Sequence, residues 1–205
     1  MVISSSNSYT NSNTDVINLN PTNKINLKRF IQNGQIQIYQ SSFRGSYSSI
    51  ISDSLRNAAL GRKVLLVQFM KGGVQQGLAN AVKLCGNLTW VRSSHSFDQY
   101  NPEEIKNNKD LKKVIYEATF ELWNFCKKEL LSGENDQIIL DEIFLALEMK
   151  IIDKDVLIST LENRLISGDV ILTGTNIPKD LLLMANQITE PVSYTHLTLP
   201  TMELV

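Results

Sequence analysis

Three short runs of nearly unbroken apolar residues constrain this fold most: "KVLLVQF" (63–69), "QIILDEI" (137–143) and "DVILTG" (169–174). A strand with one wet face alternates polar and apolar residues. A strand covered on both faces does not, and that is the pattern of a parallel sheet under helices. "QIQIYQ" (35–40) does alternate and reads as a half-buried strand, and "NLTWV" (87–91) is a further strand candidate. Helical patterns separate these runs. Residues 48–60 bring Ile50, Ile51, Leu55, Ala58 and Ala59 near one face, with Gly61 as a C-terminal stop. Residues 109–131 place Leu111, Val114, Ile115, Ala118, Leu122, Phe125 and Cys126 at helical spacing, ending at Gly133. A helix over 153–165 has Asp153 as its N-cap, and one over 178–187 has Pro178 in its first turn. Strands alternating with helices imply βαβ units. The expected class is α/β, with a mostly parallel sheet and helices on both faces.

The 205 residues suffice for one domain with a substantial core. The expected organisation is a disordered tail over 1–27, a single α/β domain over 28–190, and a distinct tail over 191–205. The first segment is rich in Ser, Asn and Thr and buries too little apolar area to offset its ordering entropy. It has no basic stretch followed by an apolar run, so it does not read as a secretory signal. No stretch approaches the roughly 18 apolar residues of a membrane helix. A net charge of −1 provides no global field for nucleic acid or an anionic membrane. Cys85 and Cys126 have neither CxxC nor disulfide-framework spacing. They are expected to be reduced and buried, in a cytoplasmic setting. His95 and His196 stand apart from any ligand cluster, which argues against structural zinc.

In a sheet of this kind ligands gather at the carboxyl ends of the strands. The loops expected there, after Gln40, Phe69, Leu140 and Leu172, carry the polar, glycine and acidic residues. "ILDE" ends an apolar strand in Asp141 and Glu142. Acids so placed suit a Mg²⁺ ion beside phosphate, and equally suit a cap on the next helix. Lys71 leaves a strand end beside two glycines, as a contact to phosphate or carboxylate or as a surface lysine. "SSFRGSYSS" (41–49) connects a strand to a helix, where an anion-cradling loop sits in nucleotide-binding proteins. Its local pattern departs from G-x-x-x-x-G-K-[ST]: Gly45 matches, but Ser46 replaces the lysine and Tyr47 the hydroxyl residue. On these residues alone an ordinary turn fits better.

Taken together, "GRKVLLVQFMKGG" (61–73), "NLTW" (87–90), "IILDEIFLAL" (138–147) and "VILTGTNIPKDLLLMANQITE" (170–190) resemble one family. It is the P-loop-type cob(I)alamin / cob(I)yrinic acid a,c-diamide adenosyltransferases, and the likeness spans about residues 34–190. The resemblance implies a doubly wound, P-loop-like α/β fold and a homodimer. It implies transfer of the 5′-deoxyadenosyl group of ATP to a Co(I) corrinoid, with Mg²⁺ assisting. Carried over by position, Ser41, Ser42, Phe43, Arg44, Gly45, Ser46, Tyr47 and Ser48 would wrap the triphosphate. Asp141 and Glu142 would serve the metal and nucleotide end, with Asp141 toward Mg²⁺. Thr173 and Gly174 would line the nucleotide, and Lys71 and Trp90 would face the corrinoid. Trp90 fits a plain core position equally well.

The departures from the family pattern fall at positions expected to form the site. The family loop "GNGKGKTT" falls on 41–48, where this chain keeps Gly45, has Arg44 and Ser46 in place of lysines, and retains a hydroxyl at Ser48. Gln75 and Gln76 replace an acid after Lys71, and Val91 replaces a glutamate after Trp90. Intact strands with altered loops describe a retained fold with altered chemistry. A non-catalytic homologue binding nucleotide, corrinoid or a protein partner is therefore the alternative reading. The final "PVSYTHLTLPTMELV" (191–205) resembles no segment of the family and reads like translated adapter sequence.

Overall fold

The computed structural model describes residues 34–41, 48–72, 80–93, 108–165 and 167–190. All of them lie in one compact unit, Asn33–Val205. The tails expected at 1–27 and 191–205, both histidines, and positions 42–47 of the 41–49 loop fall outside the described residues. So do Gln75 and Gln76.

Seven strands form one sheet: β1 (Ile36–Gln40), β2 (Val64–Gly72), β3 (Val82–Leu84), β4 (Leu88–Ser93), β5 (Gln137–Asp141), β6 (Asp169–Gly174) and β7 (Gln187–Thr189). Their order is β3-β4-β2-β5-β6-β1-β7. Every pairing is parallel except the β3–β4 edge. The helices are α1 (Ser48–Ala59), α2 (Lys109–Ser132), α3 (Ile143–Glu148), α4 (Lys154–Glu162) and α5 (Lys179–Met184). The expected α/β class, with helices on both faces, is what the chain adopts.

Strand alternation divides the core in two. Val64, Leu66, Ile139 and Ile171 pack on one face against Ile50 and Ala58 of α1. Leu65, Val67, Leu140 and Leu172 pack on the other against Ile115, Leu122 and Cys126 of α2 and Leu157 of α4. Burial of this kind contributes roughly 1.5–3 kcal/mol per large apolar side chain. The apolar runs therefore had to be central strands.

Local signals explain the helix ends. Asn108 caps α2 by accepting from the Leu111 N–H, and Gly133 closes it at φ 65°. Asp153 caps α4 through the Asp155 N–H, as expected. Four expectations need correction. β2 continues through Lys71 to Gly72 instead of ending at Phe69. The α5 helix stops at Met184, and Gln187 joins the β7 strand beside β1, where three residues carry too little pattern to be seen. α4 ends at Glu162. Cys85, expected to be buried, is exposed in the β3–β4 turn, whereas Cys126 is buried. Among the described residues no helix is long and apolar enough to cross a membrane.

Candidate active site at the carboxyl edge of the sheet

Parallel register aligns one residue from each strand into a transverse row. Gln68 stands opposite both Arg92 and Asp141, and Thr173 opposite Tyr39. Leu140 pairs with Leu172, which brings Asp141 beside Thr173. The row on the α1 face is thus Arg92–Gln68–Asp141–Thr173–Tyr39. The row beneath it on that face contains Trp90, Leu66, Ile139 and Ile171. Polarity changes abruptly at the carboxyl edge, on one face only. One position back, Val91, Val67, Leu140 and Leu172 belong to the opposite core.

Four side chains of that row, Arg92, Gln68, Asp141 and Thr173, are joined to one another. The Thr173 hydroxyl donates to Asp141 Oδ1 at 2.6 Å and accepts the Glu142 N–H at 2.9 Å. Gln68 Nε2 donates to Asp141 Oδ2 at 2.7 Å. Gln68 Oε1 accepts from Arg92 Nε at 2.7 Å and from Trp90 Nε1 at 3.0 Å. Lys71 Nζ lies 3.4 Å from Asp141 Oδ2. The Arg92 guanidinium carbon stands 4.5 Å from the Trp90 ring centroid, a cation–π stack. Gln68 and Asp141 are almost wholly buried. In such surroundings satisfied hydrogen bonds rigidify and a lost partner is costly.

A register shift between Gln68 and Gly72 explains how Lys71 joins the row. Phe69 and Met70 both enter the α2-side core, which breaks the alternation and returns Lys71 to the face of Gln68. Bulges commonly re-aim a side chain in this way beside functional sites. Glu142 caps α3 in a left-handed conformation, φ 60° and ψ 28°. That backbone costs a non-glycine residue on the order of 1–3 kcal/mol and clusters at functional sites. Gly174 has φ 153°, and a Cβ there would lie 2.9 Å from the Phe144 ring. Its carbonyl accepts the Ser41 N–H at 3.2 Å, which ties the start of the 41–49 loop to the end of β6.

Of the expected site residues, Lys71, Trp90, Asp141, Glu142, Thr173 and Gly174 gather at this edge. Ser41 is held beside it, and the Ser48 backbone opens α1. Ser42, Phe43, Arg44, Gly45, Ser46 and Tyr47 lie outside the described residues. One expectation is overturned: Val91 is a buried core residue on the far face, so the glutamate it replaces leaves no gap on the α1 side. Gln68 and Arg92 were missed. A lone glutamine inside "VLLVQFM" was a usable signal, because a buried polar side chain demands partners. Arg92 had only its i+2 spacing from Trp90.

Asp141 accepts three donors, which leaves acceptor capacity at Oδ1. No cluster of three or more His, Cys, Asp or Glu side chains suited to a metal occurs among the described residues. That donor set fits Mg²⁺, which commonly takes one or two carboxylates and completes its shell with water and phosphate oxygens. It does not fit a closed all-protein metal cage. A cavity of about 550 Å³ lies elsewhere, lined by Tyr116, Phe120, Trp123 and Lys150 among others on the α2 side. None of the polar row lines it.

The family described as ATP:corrinoid adenosyltransferase BtuR/CobO/CobP matches residues 32–200 of this chain. The corrinoid adenosyltransferase of Escherichia coli (strain K12) is 23% identical over 160 residues, 78% of this chain and 76% of that protein. The E. coli O6:H1 protein of the same name gives the same figures. An uncharacterized Nostoc sp. protein, all2391, is 25% identical over 178 residues, 75% of this chain and 42% of its own length.

Proposed function

The chain belongs to the ATP:corrinoid adenosyltransferase family BtuR/CobO/CobP, and we propose that it transfers the 5′-deoxyadenosyl group of ATP to a Co(I) corrinoid. The Co(I) electron pair forms the new bond to the ribose 5′ carbon. The carbon–oxygen bond breaks, and its electrons leave on triphosphate. The reaction needs no protein nucleophile. The protein's task is to align two bound reactants and to receive the charge of the leaving group.

The observation that carries this reading is the connected row Gln68–Asp141–Thr173 at the carboxyl edge, beside the strand-to-helix loop that begins at Ser41. Thr173 and Gln68 hold the two oxygens of Asp141 in one orientation. Asp141, with Glu142 beside it, would hold Mg²⁺, which when bound offsets phosphate charge. Lys71 puts a second cation at the same carboxylate. The 41–49 loop, with Arg44, Gly45 and its hydroxyls, would wrap the triphosphate through backbone N–H groups. Trp90 and Lys71 would face the corrinoid. The protein acts as a homodimer in a reduced cytoplasmic setting, with ATP and corrinoid as its partners.

The test is the absorbance change on adenosylation of reduced cobalamin with Mg·ATP. Turnover that is lost in Asp141→Ala supports the proposal, and absence of turnover with either a carboxylated or an amidated corrinoid sinks it. Ser46 and Tyr47, standing where the family has lysine and threonine, favour a second reading: a non-catalytic homologue that keeps a binding site. Mg·ATP binding by calorimetry without turnover is the result expected of that protein.

A further inference from the structure

We propose that Thr173 and Gly174 are positioning residues. Together they hold the Asp141 carboxylate and the start of the 41–49 loop in register with each other, and they do so without touching the nucleotide. The proposal rests on the nucleotide half of the functional reading above. It departs from the resemblance, which would put both residues against the ligand.

β6 lies between β5 and β1 in the sheet. Its last two residues are bonded in opposite directions. Thr173 reaches toward β5: its hydroxyl donates to Asp141 Oδ1 at 2.6 Å and accepts the Glu142 N–H at 2.9 Å. Gly174 reaches toward β1: its carbonyl accepts the Ser41 N–H at 3.2 Å, one step beyond the pairing of Gln40 with Gly174. The carboxylate and the loop start therefore share one support, two residues long.

Thr173 has no proton left for an anion. A hydroxyl carries one donor, and this one is spent on Asp141. Polyphosphate oxygens need donors, and the Thr173 side chain is wholly buried. What the hydroxyl governs is Asp141 Oδ1, the oxygen with acceptor capacity for a metal, and the Glu142 backbone. Glu142 stands at φ 60° and ψ 28°. A non-glycine residue keeps that conformation only where its surroundings hold it. The bond from its N–H to Thr173 is such a hold.

Gly174 is constrained by space. A Cβ there would lie 2.9 Å from the Phe144 ring and 3.0 Å from the Phe144 Cβ, and its φ of 153° is one that side chains rarely adopt. Phe144 belongs to the first turn of α3, which Glu142 caps. The glycine lets α3 and β6 approach closely. A side chain at this point would displace α3 or the β6 end to which Ser41 is bonded.

Calorimetry on the full chain tests this, with Mn²⁺ as the probe for Mg²⁺ and circular dichroism to verify folding. Affinities are measured for Mn·ATP and for ATP with a chelator. Thr173→Val removes the hydroxyl at nearly constant shape. It is expected to weaken Mn·ATP by about tenfold to a hundredfold, the scale of one hydrogen bond to a charged group, and to leave metal-free ATP unchanged. Thr173→Ser keeps the hydroxyl and should restore most of the lost affinity. Gly174→Ala is expected to weaken both ligand forms together, because it shifts the loop start as well as the metal side. Thr173→Ala is measured beside the valine, so that a packing fault in one variant does not decide the result.

Equal loss of Mn·ATP and metal-free ATP in the Thr173 variants overturns the proposal, since it would assign the hydroxyl to the ligand. So does failure of Thr173→Ser to rescue, or a Gly174→Ala protein that binds both forms like wild type. Binding is measured rather than turnover so that the two readings fail separately. Mn·ATP binding without adenosylation sinks the transferase and not this proposal, whereas absence of Mn·ATP binding in wild type overturns both.

Discussion

Both ends of this sheet carry charged networks, and they are wired differently. At the amino end polar side chains tie down backbone. Asp169 Oδ1 accepts the Gln35 N–H and Oδ2 accepts Arg62, Asp136 accepts the Lys63 N–H, and Arg164 donates to the Leu161 and Gly34 carbonyls. Burial lowers the Arg164 pKa, which nearby Asp169 partly opposes. At the carboxyl end the bonds run from side chain to side chain, through Arg92, Gln68, Asp141 and Thr173. The first network closes loops by holding backbone groups, and the buried Arg164 Nε is left without a hydrogen-bond partner. The second fixes side-chain orientations, and the Arg92 Nη donors have no hydrogen bond among the described residues. The two networks differ in what they hold: backbone at one end, side-chain orientation at the other.

The sharpest way to break this contrast is Asp141→Ala. Removing the carboxylate at the centre of the row is expected to lower the adenosylation rate by about a hundredfold or more, followed by absorbance. Gln68→Leu should come next. It strips partners from Trp90, Arg92 and Asp141 together, and urea unfolding should register a loss of about 1–3 kcal/mol. The emission of Trp90 should change as well, measured in a Trp123→Phe background. Asp169→Ala is the control from the other end. It removes the bond to Gln35 and a half-exposed ion pair with Arg62, so about 1 kcal/mol of stability is expected to go. Corrinoid affinity should not move. If it falls, the two ends are not separable in function.

The smallest effect concerns the thiols. Burial, with Glu129 adding to it, pushes the Cys126 thiol well above its ordinary value of 9.0. A raised acid keeps its proton longer in the folded state. Its contribution is therefore intact below pH 9.0 and declines as the pH rises above it, where the unfolded thiol ionises first. A Cys126→Ala variant should flatten that alkaline decline in urea midpoints. In the native protein a thiol reagent should label Cys85 quickly and Cys126 only on unfolding.

Much of the fold was legible because apolar runs have few places to go. "VLLVQF", "IIL" and "VIL" had to be central strands, and Asp153 and Gly133 marked helix ends through local hydrogen bonding and backbone conformation. Asp141 and Thr173 were legible as polar residues closing apolar strands. The β3 and β7 edges were not, because three residues carry almost no period. The bulge that turns Lys71 toward Asp141 has no local signature either, since it arises from pairing with β4.

The order of strands along the chain therefore determined the α/β class and the edge at which chemistry would collect, because burial on two faces and βαβ connection are properties of local pattern. Only the tertiary structure decided that Arg92, Gln68, Asp141 and Thr173 stand in one row. Those residues are 24, 73 and 32 positions apart along that row. Their meeting depends on the register of three parallel pairings, and register is specified across strands, by which faces must be buried together, rather than by any residue's immediate neighbours.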